Sequence, residues 1–530
     1  MRRFSRRDFM TASAVAIGSI RLVGAGRIFA RQGSEAVFRH GVASGDPLRD
    51  RVVLWTRVTP GEPGAIVDVQ WIIARDARMS RAFARGSVRT SAERDYTVKI
   101  DAVGLEPGNT YYYRFAARGA QSPVGRTRTL PARPTRRVRL ALASCSNHPF
   151  GFFNVYGRIA ARLDLDAVLH LGDYIYEYAN EQYGDGRPLG RLPVPAHEII
   201  SLQDYRERYA QYREDPDLQA AHRQHPFIAI WDDHETANNS WSGGAQNHTP
   251  DEGEWSVRRA AAVRAWREWM PVRESPGADF RLYRQFVFGD LADLLMLDTR
   301  IEGRDQQATR EDIGAVDNPS RQILGSDQEE WLFDNLRDST AAGRPWQILG
   351  QQVMFAPQTL AGQPAIATDT WDGYRAARNR VLDAASTAGV RHLLVLTGDV
   401  HSSWAYDLAR DPFEHANYDA ATGRGALGTE IITPAVTSPG GPSAERAATL
   451  YATRPHLKYV AGESQRGYVV LDLTPERLQA DWWFVPTILE RTTSERFAKG
   501  MASPAARPHL EEVSRPAAPG SAPDPAPDLL

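Results

Sequence analysis

Four short segments gather the residues best suited to chemistry: Gly172-Asp173-Tyr174-Ile175-Tyr176, Trp231-Asp232-Asp233-His234-Glu235, Asn238-Asn239 and Gly398-Asp399-Val400-His401. Each lies at or just beyond the end of an apolar run and offers oxygen or imidazole donors there. Glycine before Asp173 and Asp399 permits a tight turn, so the carboxylate can approach a cation without crowding from a Cβ. Two cations a few ångströms apart repel each other and need a shared anionic ligand. A carboxylate at the end of a central strand can bridge them, and a pair about 3.5–4 Å apart can clamp a phosphate and acidify a bound water. A lone Gly-Asp pair is a common turn former. The joint arrangement is what points to a metal site.

The positioning elements are legible as buried-type strands over residues 138–143, 167–171, 227–231, 291–297, 346–349 and 392–396, each ending in polar residues. Helical stretches such as 257–270 lie between them. Apolar strands alternating with helices indicate a layered α/β sheet, and open α/β sheets place ligand sites at the strands' C-terminal ends. Residues 36–131 read differently, as short β-branched and aromatic runs bounded by Gly, Pro and Asp. Within them a turn at Glu106-Pro107-Gly108-Asn109 leads into Tyr111-Tyr112-Tyr113, similar to the tyrosine corner of immunoglobulin-like sandwiches. A small β-sandwich is expected there, followed by the linker Pro131-Ala132-Arg133-Pro134 and a catalytic domain over 136–495. Residues 503–530, rich in Pro and Ala, are expected to be disordered.

The four segments resemble the metallophosphoesterase superfamily, with consistent departures: Ser144-Cys145-Ser146 replaces its Asp-x-His, Asp233-His234-Glu235 its Asn-His-Glu, and Gly398-Asp399-Val400-His401 its Gly-His-x-His. Those departures are similar to the alkaline phosphatase D (PhoD-like) family. The resemblance implies an α/β fold: a layered β-sandwich core with helices outside, preceded by a small all-β immunoglobulin- or fibronectin-like domain. It implies hydrolysis of phosphate esters by attack of a metal-bound hydroxide. Asp173 would bridge the metals, Cys145, Tyr176 and His401 would bind ferric iron, and Asp233 and Asp399 would complete an oxygen-rich site favouring calcium, with other divalent metals compatible. Asn238 or Asn239 would add a carbonyl. His234 would protonate the leaving alkoxide, with Glu235 orienting its ring. The superfamily's lone histidine has no counterpart; Gln351 or Gln352 stands in its place.

The chain of 530 residues is long enough for two domains. Lys+Arg at 63 against Asp+Glu at 65 gives no field that would favour nucleic acid. Cys145 is the only cysteine, which excludes an intramolecular disulfide. Without the resemblance it reads as a small buried hydrophobe. The N-terminal Ser5-Arg6-Arg7-Asp8-Phe9-Met10 and the weakly apolar run after it resemble a twin-arginine export signal over residues 1–32, read by the export machinery, with Arg21 interrupting any stable membrane anchor. A periplasmic or secreted location follows. Trp241 and Trp404 would suit lipid-like or sugar-linked diesters, so a phospholipase D-like or teichoic-acid diesterase is one alternative; a non-catalytic cell-wall binding protein is another. Loop arginines such as Arg206 and Arg208 are candidates to meet the phosphate.

Overall fold

The computed structural model describes residues 36–274, 281–309, 312–359, 367–462 and 464–527. The expected export signal lies outside these. The N-terminal unit comprises β1 (Val42–Gly45), β2 (Arg51–Arg57), β3 (Val67–Ala74), β4 (Ala82–Thr90), β5 (Thr97–Val103), β6 (Thr110–Ala117), β7 (Ala120–Gln121) and β8 (Gly125–Arg128). Val52, Leu54, Val69, Ile73, Tyr111, Tyr113 and Phe115 build its core at alternate positions along the strands, as a half-buried sheet requires. The Tyr111 hydroxyl accepts from the Glu106 N–H at 2.9 Å, a bond of the tyrosine-corner type.

The larger unit continues with β9 (Val138–Ala143), β10 (Ala167–Leu171), β11 (Pro226–Ile230), β12 (Arg284–Phe288), β13 (Ala292–Met296), β14 (Trp346–Gln351), β15 (Leu393–Thr397), β16 (Ser403–Leu408), β17 (Gly428–Ile432), β18 (Leu457–Ala461), β19 (Arg466–Leu473), β20 (Arg477–Val485), β21 (Arg496–Pro504) and β22 (Glu511–Val513). A ten-stranded sheet runs β22-β21-β20-β19-β9-β10-β11-β1-β2-β5, and a seven-stranded sheet runs β12-β13-β14-β15-β17-β16-β18. β9, β10 and β11 are parallel in the first, as are β13, β14, β15 and β17 in the second.

Alternation along the second sheet shows how the layers stack. Leu294, Met296, Ile348, Leu394, Leu396 and Ile431 join the core shared with the first sheet. Their neighbours Leu295, Leu349, Leu393, Val395 and Ile432 face the opposite way, onto Leu332 and Leu336 of helix Ser326–Ala341 and Val381 and Leu382 of helix Arg375–Thr387. Helices Asn154–Ala160, Leu202–Arg213, Pro216–Gln224 and Trp255–Trp269 supply side chains to the first sheet's core. The result is the expected layered sandwich of sheets with helices outside.

Two features of the structure go beyond the sequence expectation. The N-terminal sheet β1-β2-β5 is not separate: β1 pairs in parallel with β11 and continues the ten-stranded sheet. Gly45 allows this approach, since a Cβ there would stand 2.3 Å from the Pro271 carbonyl oxygen and 2.6 Å from that of Phe227. The expected disordered tail is ordered through residue 527, and β21 and β22 carry the sheet past residue 495. Beyond β22 the Pro- and Ala-rich residues 514–527 form no helix or strand, and side chains of the body take their main-chain groups instead. Gln479 donates to the Arg515 carbonyl at 2.9 Å, Asp164 accepts from the Gly520 N–H at 2.7 Å, and Tyr112 donates to the Asp524 carbonyl at 2.7 Å. Gln224 both donates to and accepts from the main chain of Ala526, which is buried. Deleting residues 514–530 is therefore expected to lower Tm by a few degrees; differential scanning calorimetry showing no change would contradict the clasp.

Candidate metal centre

The first half of the site forms where β9 and β10 end. Cys145 donates its N–H to the Gly172 carbonyl and Ser146 its N–H to the Asp173 carbonyl, at 3.2 and 2.9 Å, which locks the two loops together. The loop after β17 closes over them: Thr437 and Ser438 donate main-chain N–H groups to the Cys145 carbonyl. Cys145, Asp173 and His401 then present donor atoms within 4.8 Å of one another. The Tyr176 hydroxyl lies 2.8 Å from Asp173 Oδ2 and 3.1 Å from His401 Nε2. His401 Nδ1 faces the Pro439 carbonyl at 2.7 Å, so the ring donates there and leaves the Nε2 lone pair toward the cluster.

The second half forms beyond β11 and β15. Asp173, Asp233 and His234 form a second close group, and Asp232, Asp233 and Asp399 a third. Asp173 is thus shared by two groups, and so is Asp233. The turns that deliver these residues are strained. Cys145 (φ 61°), Asp173 (55°), Asn239 (50°), Asp399 (55°) and His401 (59°) all hold left-handed backbone, at about 1–3 kcal/mol each. Gly172 at φ 99° has the same need, and a Cβ on it would stand 2.4 Å from that of Asp232.

The donor set fits cations. Asp173 Oδ1 and Asp232 Oδ2 are buried without hydrogen-bond partners among the described residues. Burial, reinforced by the Asp173 charge, pushes the Cys145 thiol and the Tyr176 phenol well above their ordinary values, so both would ionise only beside added positive charge. Burial likewise pushes Asp399 up to about 7 against the pull of Arg300. Burial works in the same sense on Asp233, but Arg300, His234 and the Asn239 N–H hold it below the carboxylate range.

Several expected roles shift. Glu235 does not orient His234: its carboxylate accepts the N–H groups of Asp232, Asp173 and Tyr174 at 2.7, 3.1 and 2.5 Å and so holds the ligand loops. Burial and the Asp173 charge push it up to about 8. Glu177, which sequence reasoning passed over, orients the ring, with Oε2 2.7 Å from His234 Nδ1. Burial would lower the imidazole's pKa, but Asp233, Glu177 and Asp173 together raise it well above its ordinary value. Asn238 caps the same carboxylate, donating its N–H to Glu177 Oε1 at 2.7 Å, and its side-chain amide donates to Gln246. Asn239 donates its N–H to Asp233 Oδ2 at 2.6 Å.

Gln352 is held by the frame, accepting from Thr299 and donating to the Trp231 and Leu297 carbonyls. Gln351 binds Val353, Thr397 and Trp371. Arg206 pairs with Glu268, and Arg208 donates to the carbonyls of Val194, Pro195 and Tyr176; the arginine that reaches the acids is Arg300. Trp404 belongs to the core, stacked on Tyr406. The aromatics beside the site are Tyr176, stacked on His234 at 4.3 Å, with Tyr178 at 5.4 Å and Tyr183 at 6.3 Å from the same ring. Glu177 and Arg300 had a usable signal, since each stands within four residues of a strand-end aspartate.

The chain is similar to known proteins over most of its length. Residues 140–482 match the model of the PhoD-like phosphatase family, and residues 24–131 match that family's N-terminal domain. Alkaline phosphatase D of Bacillus subtilis (strain 168) is 39% identical over 476 residues, covering 86% of this chain and 78% of that protein. The solved structure of PhoD superposes with a TM-score of 0.82 at 36% identity, covering 92% of this chain and 94% of that one. With both family models matched in order along the chain, and one relative similar over most of its length, the protein belongs to the PhoD-like phosphatase family.

Proposed function

We propose that this protein is an exported, metal-dependent phosphatase and phosphodiesterase, with ferric iron held by Cys145, Tyr176 and His401, calcium by Asp233 and Asp399, and Asp173 shared between them. The observation that carries the reading is the sharing of Asp173 by two close donor groups, which is what a bridging carboxylate requires. Thiolate and phenolate donors suit a trivalent ion, and an all-carboxylate set suits a hard divalent one. Such a metal pair supplies charge neutralisation at the phosphoryl oxygens and a nucleophile at neutral pH.

The chain's own residues do the rest. His234 Nδ1 is held by Glu177, which aims Nε2 toward Asp233, 4.0 Å from its Oδ1. Asp233, Glu177 and Asp173 raise the imidazole's pKa above its ordinary value, which favours the protonated form that would donate to the oxygen of the departing alcohol. Glu235 fixes the Asp173 and Asp232 turns through their N–H groups. Asn238 holds Glu177 in place. Export is supported by the arginine pair and the apolar run at residues 1–20, and no helix among the described residues is long and apolar enough to cross a membrane.

Protein purified without chelator is expected to contain iron and to show a tyrosinate charge-transfer band that disappears in Tyr176→Phe. A colourless, iron-free and fully active preparation would remove Cys145 and Tyr176 as ligands. Asp173→Ala is expected to reduce hydrolysis of aryl phosphate mono- and diesters to background; retained turnover would contradict the shared ligand. Glu177→Gln is expected to lower kcat about 10²-fold or more at unchanged metal content. Wild-type kcat in that variant would show that His234 needs no orienting carboxylate.

A further inference from the structure

Arg300 follows β13, in the loop Asp298-Thr299-Arg300, and its side chain is 0% exposed. Its Nε lies 2.5 Å from Asp232, Nη1 2.8 Å from both oxygens of Asp369, and Nη2 3.1 Å from Asp399 and 3.7 Å from Asp233. One guanidinium therefore touches four carboxylates. Arg304, equally buried, shares only Asp369, at 2.6 Å. The loop is held from below, where Asp298 accepts the N–H groups of Arg300 and Ile301.

A guanidinium does not lose its charge in a protein. A purely structural pair would need one or two partners, and Asp232 with Asp369 provides them. The remaining contacts are to Asp233 and Asp399, the donors assigned above to the harder cation. We propose that Arg300 is a positioning residue that sets the charge of this acidic half and thereby the valence of the cation it accepts. The inference rests on the metal reading of the site. Its physical basis is Coulombic. A fixed positive charge a few ångströms from the bound ion repels it in proportion to the ion's own charge, so a trivalent ion is disfavoured more than a divalent one. Low-dielectric surroundings strengthen the discrimination. Asp369 works in the opposite sense, as an additional negative charge whose side chain is 23% exposed.

The test uses full-length, iron-replete protein with its calcium removed by chelation, titrated with Ca²⁺ by calorimetry and with Tb³⁺ by sensitised luminescence. Arg300→Met is expected to raise the Tb³⁺-over-Ca²⁺ preference by about tenfold or more. Arg300→Lys, which keeps the charge, is expected to stay within about threefold of the unsubstituted protein. Asp369→Asn is expected to shift the preference toward Ca²⁺, and it carries the test if Arg300→Met does not fold. An unchanged ratio in Arg300→Met, or in Asp369→Asn where the methionine variant is lost, overturns the proposal. So does an Arg300→Lys shift as large as that of methionine. If the unsubstituted protein binds neither ion, the metal reading itself fails and the inference falls with it.

Discussion

Repulsion among buried carboxylates is the constraint on which the rest of this structure depends. Asp173, Asp232 and Asp233 are nearly inaccessible to solvent, with the half-buried Asp399 beside them. Anions at such spacing, away from water, interact far more strongly than at a surface. Positive charge must be brought to them or protons must stay on them. The fold brings Arg300 and the His234 imidazole, and it leaves Asp173 Oδ1 and Asp232 Oδ2 without partners among the described residues. Those unpartnered oxygens, beside a thiol and a phenol that burial keeps from ionising, form a pocket that added cations would complete.

Holding such a cluster together demands a rigid frame. Parallel strands supply it, because their C-terminal ends open on one side of the sheet and each can release a loop toward a common point. β9, β10, β11 and β15 each do so, at Cys145, Asp173, Asp233 and Asp399. The left-handed backbone at Cys145, Asp173, Asp399 and His401 is the local cost of aiming the side chains inward, and the core of two packed sheets offsets it. Glu235 contributes by clamping three main-chain N–H groups of the two loops.

Much of this was legible in the sequence, because strand ends are local features. An apolar run that stops at Gly-Asp can be read without knowing its neighbours, and it marks Asp173 and Asp399, whereas a ligand role for Cys145 came only with the family resemblance. Tertiary pairing is not local. Nothing in the spacing of Glu177 and His234 distinguishes their contact from the expected one with Glu235, which is adjacent in sequence but turned back on its own loop. Arg300 was missed because its four partners come from three separate loops. Composition misled at the C-terminus for a related reason: a Pro- and Ala-rich segment has no structure of its own, yet Gln224, Gln479 and Tyr112 hold its main chain from outside. The N-terminal sandwich was read correctly in its strands but not in its edge, since the β1–β11 pairing depends on the close backbone approach at Gly45.

The central claim is that two cations share Asp173. Anomalous diffraction recorded on both sides of the iron absorption edge, from crystals grown without chelator, tests it most directly. The expected result is an iron peak within ligand distance of Cys145 Sγ, Tyr176 Oη, His401 Nε2 and Asp173, with a second, non-iron density between Asp173, Asp233 and Asp399. An iron peak elsewhere, or a fully active crystal form with neither density, would contradict it.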